Sequence, residues 1–421
     1  MYRPNSISFV KCLCIDFVFG GNFVVEHVPH EHTTALVLDA NQRSALALAR
    51  SLGRAGVAVY CADNSQSSLA GSSSTSFQHI GIPSPKDSPY SFTKTVEKIA
   101  SDIGAAVVFP MTEVSSRTLL TESPENLLRL LPFSKIQTVD AIADKQELLR
   151  LAGQLNIPYP ESRLLVRGSE VMSIGVTTFP VVLKPTRSHY LVDGKWLNSS
   201  VRVAHSVAEL TRIVSSDPVL ADHPMIVQDF ISGYGAGISA LYNQGTPVAF
   251  FAHRRLREKP PTGGVSVFSE SVALDGAMLV RTKKLLGSVN WHGVAMVEYR
   301  VTPEGEPYLM EVNTRFWGSL QLAIDSGVDF PWLLWQIATE QEPSTISDYA
   351  IGCRLRWLLG DIDSLYLVLK DPQRTRMQKL QRIVAFLRPD FRHTRHEVNR
   401  WKDLRPAWFE FKQYLRALRQ R

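Results

Sequence analysis

The chain has 421 residues, 44% of them hydrophobic and 20% charged, with a formal net charge of +6. That length exceeds what one hydrophobic core organises, so about two to four domains are expected, and the composition is that of an ordinary globular protein. No run of about 18 uncharged apolar residues occurs, which argues against a membrane-spanning helix.

The apolar stretch 9–25 is interrupted by Lys11 and Asp16 and ends without a small-residue cleavage site, so it does not read as a signal peptide. Residues 1–32 are oddly composed and are taken as an N-terminal extension. Cys12, Cys14, Cys61 and Cys353 match neither a disulfide framework nor a zinc pattern. Free thiols in a reducing cytoplasm are the expectation.

From residue 33 the chain alternates. An apolar strand at 33–39 runs into a loop, an Ala-, Leu- and Arg-rich helix covers 42–54, and a second strand covers 57–61. A Ser-rich loop, a helix near 92–103 and a buried strand at 105–110 come next. Strands alternating with helices predict a parallel sheet covered by helices, a domain over 33–139. Its first turn holds no Gly-x-Gly-x-x-Gly. The domain is therefore read as structural, contributing Thr112 and Glu113 to a substrate cleft.

Residues 141–155 read as one helix with Lys145 in its first turn, where a cation opposes the helix dipole. The strand 179–184 ends on Lys184 before a proline. Alone, such a lysine is equally well a snorkelling surface residue. The strand 225–231 (Met-Ile-Val-Gln-Asp-Phe-Ile) leads into Ser-Gly-Tyr-Gly-Ala-Gly, glycines dense enough for a ligand to approach the backbone. Strands at 238–242 and 248–252 precede His253-Arg-Arg-Leu-Arg-Glu-Lys-Pro-Pro-Thr-Gly-Gly264, which reads as a mobile loop presenting Arg254, Arg255, Arg257 and Lys259 to an anion. A helix at 274–289 is expected to pack behind a pair of strands.

Residues 294–312 read as that pair, a β-hairpin with a turn at 302–307. Alternation puts Glu311, Asn313 and Arg315 on one face and Met310 and Val312 in a core, with Glu298 opposite the polar row. Two carboxylates and an amide oxygen make a hard, oxygen-only set suited to Mg²⁺ held with phosphates. An isolated hairpin with this pattern is more readily a solvated face, and the rest of the chain is what reverses that reading. A helix is expected over 317–326, its N-terminus towards Glu311 and Asn313. After residue 346 cations outnumber acids about two to one and helical patterns cover 363–387 and 395–418. Solvated helices on the preceding domain are the plainer reading, an anionic membrane face or nucleic acid the sharper one.

In order, Lys145 at a helix start, Val-Val-Leu-Lys184-Pro, Val-Gln228-Asp229-Phe230 with its glycine tail, Glu298, and Glu311-Val-Asn313-Thr-Arg315 resemble the ATP-grasp superfamily, in the carboxylate–amine ligase branch related to biotin carboxylase and carbamoyl phosphate synthetase. The resemblance implies an α/β (α+β) chain. After the extension and the parallel α/β domain come a two-subdomain ATP-grasp domain over 140–345, with a lid at about 160–230, and a basic helical appendage over 346–421. It implies ATP and Mg²⁺ (or Mn²⁺). Lys145 and Lys184 resemble the lysines on the phosphates; Gln228, Asp229, Phe230 and Ile231 the hinge, its backbone on adenine and an acidic side chain on ribose. Glu298, Glu311 and Asn313 resemble the metal ligands, and Arg315 the arginine at the transferring phosphoryl group, with Lys184 beside it.

The implied activity phosphorylates a carboxylate and joins it to an amine; bicarbonate carboxylation and non-catalytic nucleotide binding with a basic partner-binding tail are the alternatives. The segment after Lys184 holds one glycine where many relatives are glycine-rich, which leaves Arg187, Ser188 and His189 for the phosphate role. No segment for a carried biotin is present. Small-molecule substrates, no nucleic acid and a cytoplasmic location are expected. The resemblance leaves room for a homodimer, and Arg254, Arg255 and Arg257 are the candidates for substrate choice.

Overall fold

The computed structural model describes residues 33–172, 175, 178–186, 189–192, 195–198, 201–261, 263–346, 348–388 and 393–420. The extension 1–32 and Arg187 and Ser188 lie outside these.

The first part keeps the predicted alternation: β1 (Thr34–Val37), α1 (Arg43–Arg54), β2 (Ala58–Asp63), β3 (Gln78–Gly81), α2 (Pro89–Asp102), β4 (Val107–Phe109), α3 (Glu113–Glu122), α4 (Glu125–Leu128) and α5 (Ile136–Ala143). The strands form a parallel sheet in the order β3-β2-β1-β4. The sequence showed no β3, because Gln-His-Ile-Gly is a half-exposed edge without apolar alternation.

Next come α6 (Lys145–Gln154), β5 (Ser162–Leu165), β6 (Val181–Pro185), β7 (His189–Val192), β8 (Lys195–Asn198), β9 (Arg202–Ala204), α7 (Val207–Ser216), α8 (Pro218–Asp222) and β10 (Met225–Asp229). The helix expected at 141–155 is two helices. Asp144 takes extended backbone between them and caps α6, its carboxylate accepting from the amides of Gln146 (2.9 Å) and Glu147 (3.4 Å). A sheet ordered β5-β10-β6-β9 has its own core of Leu165, Val181, Leu183, Leu210, Met225 and Val227, while β7 and β8 pair separately.

The third part centres on a seven-stranded sheet ordered β15-β14-β11-β12-β13-β16-β17. It comprises β11 (Tyr234–Asn243), β12 (Thr246–Lys259), β13 (Val265–Val272), α9 (Gly276–Ser288), β14 (Gly293–Val301), β15 (Pro307–Asn313), α10 (Leu320–Ser326), α11 (Phe330–Ala338), β16 (Arg354–Arg356), α12 (Leu358–Lys370), α13 (Arg376–Leu387), β17 (Thr394–His396) and α14 (Arg405–Arg419). The hairpin forms as expected from β14 and β15, with Glu298 directly opposite Glu311. One detail differs. A bulge makes Met310 an extra residue between Glu311 and Leu309, so Leu309 and Val312 are buried and Met310 is not.

Two expectations are corrected. Residues 253–259 are no mobile loop but the continuation of β12, paired with β13. The tail is no purely helical appendage, because β16 and β17 extend the central sheet. Arg50 of α1 reaches into it, donating to Asp403 Oδ2 (2.9 Å) and to the carbonyls of Glu397, Val398 and Asp403. The sequence hid this because three-residue strands fall below any periodicity signal. One hydrophobic core joins β1, β2 and β4 to Phe251, Met296, Trp317 and Phe330, so the first and third parts are a single packed body. The helix expected at 317 begins at Leu320, with Trp317 fully buried against Phe316 and Phe330.

Candidate active site

Separate stretches of chain bring four cations and two carboxylates together. The backbone amide of Lys145 donates to the Thr186 carbonyl (3.2 Å), fastening the start of α6 to the end of β6, which carries Lys184. Both lysines are buried, 8% and 9% exposed. Such burial is costly for an ammonium unless anions face it. Lys184 Nζ donates to Gln228 Oε1 (2.7 Å), and Gln228 Nε2 to Ser162 Oγ (2.8 Å). Burial pushes the Lys184 ammonium down to about 8, with Lys145 adding to the fall and Glu311 and Glu298 opposing it.

Across the hairpin, Asn313 Nδ2 donates to Glu298 Oε1 (3.1 Å) and Arg255 Nη2 lies 2.5 Å from Glu298 Oε2. Arg255 starts on β12 and must cross β11 to reach β14. The absence of a side chain at Gly235 makes that crossing available, since a Cβ there would sit 3.2 Å from Arg255 Cδ, while one on Gly237 would sit 2.8 Å from His253 Cε1. The glycines read as room for a ligand thus make room for an arginine and a histidine. Burial opposes ionisation of Glu311, but Lys145, Lys184, Arg255 and Arg315 outweigh it and hold its carboxyl below the usual range. Glu298 goes the other way, because burial and the neighbouring Glu311 prevail over Arg255. Environment thus splits two like groups, a signature of functional sites.

The face opens into a cleft of about 660 Å³ lined by Lys145, Glu311, Asn313 and Arg315 on one side. Asp39, Asn41, Asp63, Thr112 and Glu113 from the carboxyl ends of β1, β2 and β4 line the other. This is where open α/β sheets bind ligands. Asp39 is occupied structurally, accepting from the amides of Met111 (3.0 Å) and Thr112 (2.9 Å) and from Ser115 Oγ (2.6 Å). Asp39, Asn41 and Asp63 escaped the sequence reading, and their position at strand ends was the available signal. Glu258, 3.1 Å from Arg255, escaped it too.

Other expected residues fall differently. Strand β10 is flanked by β5 and β6, with Gln228 opposite both Ser162 and Val182, so Gln228 brings its side chain rather than a free backbone edge. Asp229 and Phe230 are exposed beyond it, and the Ile231 carbonyl accepts from Arg300 Nε (3.2 Å). Arg254 is paired with Glu270 at 2.6 Å. Arg257 lies 3.0 Å from Asp361 and over the Phe268 ring. Both are held in structural pairs, Arg254 sharing Glu270 with Arg354 and Arg257 sharing Asp361 with Arg356 and Arg382. Arg315 Nη1 donates to the Phe316 carbonyl (2.9 Å).

Among the described residues no three His, Cys, Asp or Glu side chains cluster as a metal site. The Glu298, Glu311 and Asn313 set nevertheless fits Mg²⁺ in chemistry: all its donors are oxygens, the Asn313 amide nitrogen is committed to Glu298, and few protein ligands are needed where phosphates complete the shell.

A parallel sheet, a small separate sheet and a large antiparallel sheet around this face make the arrangement of the ATP-grasp fold. More narrowly, residues 221–360 match the family described as ATP-grasp in the biosynthetic pathway with Ter operon. The chain is similar to D-alanine–D-alanine ligase of Aquifex aeolicus (strain VF5), 23% identical over 230 residues covering 51% of this chain and 76% of that protein. Among solved structures, L-amino acid ligase from Bacillus licheniformis superposes with a TM-score of 0.57 at 17% identity, over 75% of this chain and 76% of that one. Biotin carboxylase from Campylobacter jejuni gives 0.60 at 15% identity, over 76% and 74%. No helix among the described residues is long and apolar enough to cross a membrane.

Proposed function

We propose that the protein is an ATP-dependent ligase that activates a carboxylic acid as its acyl phosphate and joins it to an amine. The observation that carries this is the convergence of Lys145, Lys184, Arg255 and Arg315 on one ionised carboxylate, Glu311, at the rim of a cleft. Bringing a carboxylate to a triphosphate requires screening of two anions, which positioned cations supply by electrostatics.

Lys145 and Lys184 bind the phosphates as point charges. Glu298, Glu311 and Asn313 hold Mg²⁺, which when bound neutralises phosphate charge and fixes its orientation. Arg315, on the cleft wall, orients the acid. A carboxylate oxygen attacks the terminal phosphorus and ADP leaves; the amine then attacks the acyl carbon, phosphate leaves, and the amine gives up a proton. Phe230 and Ile231, just past β10, are assigned to the adenine, and Asp229 to the ribose. Arg255 is a positioning residue for Glu298 rather than a substrate anchor.

The likeness to biotin carboxylase keeps bicarbonate as an acid to be tested. The experiment is ADP release with Mg²⁺ and ATP against a panel of carboxylates, bicarbonate included, with and without amines. Release that needs both an acid and an amine is expected. Release with bicarbonate alone would replace the reading by carboxylation, and absence of ATP protection against thermal unfolding would remove the nucleotide site.

A further inference from the structure

The unevenness of the charge is extreme. Residues 361–421 hold 15 Lys or Arg against 7 Asp or Glu, while the first 360 hold 31 against 33. The structure sharpens this, because most acids of the segment face inward. Asp361 takes Arg257 and Arg356 (3.0 and 2.7 Å), Asp403 takes Arg50 (2.9 Å), and Asp363 and Glu397 take Lys259 and Arg43. Glu410 accepts from Trp357 Nε1 at 2.8 Å. Most acids of the segment are thus paired inward, Asp361 also with Arg382, and Arg395 and Arg400 go to Asp325 of the body, while Lys370, Arg376, Arg388, Lys402, Arg405, Lys412, Arg416 and Arg419 stay exposed.

The same region exposes apolar side chains in register. On α14, Trp408, Phe411, Leu415 and Leu418 recur at i, i+3, i+7 and i+10, one face of a helix, all 38–58% exposed. Arg405, Lys412, Arg416 and Arg419 form a parallel exposed stripe at i, i+7, i+11 and i+14. The opposite side of α14 is anchored by buried Pro406, by Glu410, and by Tyr414 Oη donating to Asp363 (2.7 Å). The helix is therefore held in place with its aromatic stripe outward. On α13, Met377, Leu380, Val384 and Leu387 repeat the same spacing, 54–68% exposed, and no residue of that helix is buried. Trp401, beside them in sequence, is 93% exposed. Solvated helices do not spend Trp, Phe and Leu this way.

We propose that α14 docks the protein on an anionic lipid surface. An apolar stripe carrying Trp and Phe, edged by a row of Lys and Arg, is the arrangement that buries its side chains at the headgroup boundary while its cations meet lipid phosphates. The surplus positive charge decides for this occupant over a second copy of the chain, whose equally basic stripe would repel it. The inference does not rest on the ligase reading.

The test is co-sedimentation of the full chain with vesicles of phosphatidylcholine alone and of equal parts phosphatidylcholine and phosphatidylglycerol. Binding is expected on the anionic vesicles, at least about ten-fold tighter than on the neutral ones and weakened by salt. Trp408→Ser with Phe411→Ser should abolish it, and Arg416→Gln with Arg419→Gln should weaken it by about ten- to thirty-fold. These positions are exposed, so melting temperature and protection by ATP stay as in the parent. Equal affinity for both vesicles, or no sedimentation with either, overturns the proposal. So does a dimer in sedimentation velocity that the Trp408→Ser, Phe411→Ser variant dissolves. Binding of a single-stranded oligonucleotide in preference to anionic vesicles overturns it in favour of nucleic acid.

Discussion

Lys184 and Glu311 are each costly where they stand, and each is tolerated because of the other. A buried ammonium is pushed down to about 8 and a buried carboxyl is held ionised, so the pair stands charged near neutral pH, ready for an anion with bound metal. Glu311→Gln keeps the shape and removes the charge; ADP release should fall at least about 100-fold while the chain still folds, with a lower melting temperature because buried Lys145 and Lys184 lose their counter-charge. Turnover that survives the change would sink the assignment of Glu311. The lysine gives a pH signature with a fixed sign. In the proposed role its protonated form meets the phosphates, so protection by ATP should be full below pH 7 and decline as pH rises through about 8. Lys184→Arg, always charged, should remove that decline, as thermal shift at several pH values would show.

At the scale of elements, the active face is made by side chains crossing strands. Arg255 bridges from β12 to β14 past Gly235, and the bulge at Met310 sets which neighbours of Glu311 enter the core. The tail is locked by one buried arginine, since Arg50 holds Asp403 and three carbonyls of the 397–403 stretch. Asp403→Ala strands that guanidinium without its counter-charge, and ΔG of unfolding in denaturant should drop by about 3–5 kcal/mol. A loss below roughly 1 kcal/mol, the range of an exposed pair, would show that the tail is not fastened here. The helices of this region were legible as elements because their apolar spacing is regular. The strands β16 and β17 were not, because only pairing, β16 with β13 and β17 with β16, defines them.

At the scale of the whole molecule, two buried groups push stability in opposite directions with pH. Buried His253 has its imidazole pushed down to about 3, first by burial and then by Arg255. The unfolded chain binds a proton below about 6.5 that the fold refuses, so this group erodes stability as pH falls. Buried Glu397 is pushed up to about 7 by burial, against the lowering effect of Arg43. Its fold prefers the protonated form, so stability is full below about 4.5 and is lost as pH rises to 7. Between about 4.5 and 6.5 the two cancel. Glu397→Gln should unmask His253: relative to the variant, the parent loses about 3 kcal/mol between pH 4.5 and 7. Melting curves of both proteins across that range test it, and parallel curves would refute the assignment.

What the sequence determined by itself was the order of elements and the residue types of the active face. The parallel alternation, the hairpin and the ordered Lys145, Lys184, Glu298, Glu311, Asn313 set stem from local periodicity and from side-chain chemistry, both written along the chain. What only the tertiary structure decided was who meets whom. That Arg255 serves Glu298, that Arg254 and Arg257 are paired with Glu270 and Asp361, and that Gln228 holds Lys184 depend on partners 16–104 residues apart. The same holds for the inward turn of the tail's acids, while the cations of α14 stay exposed. A charge is legible in a sequence; its counter-charge is chosen by the fold, because burial makes pairing compulsory and only packing settles which groups are buried together.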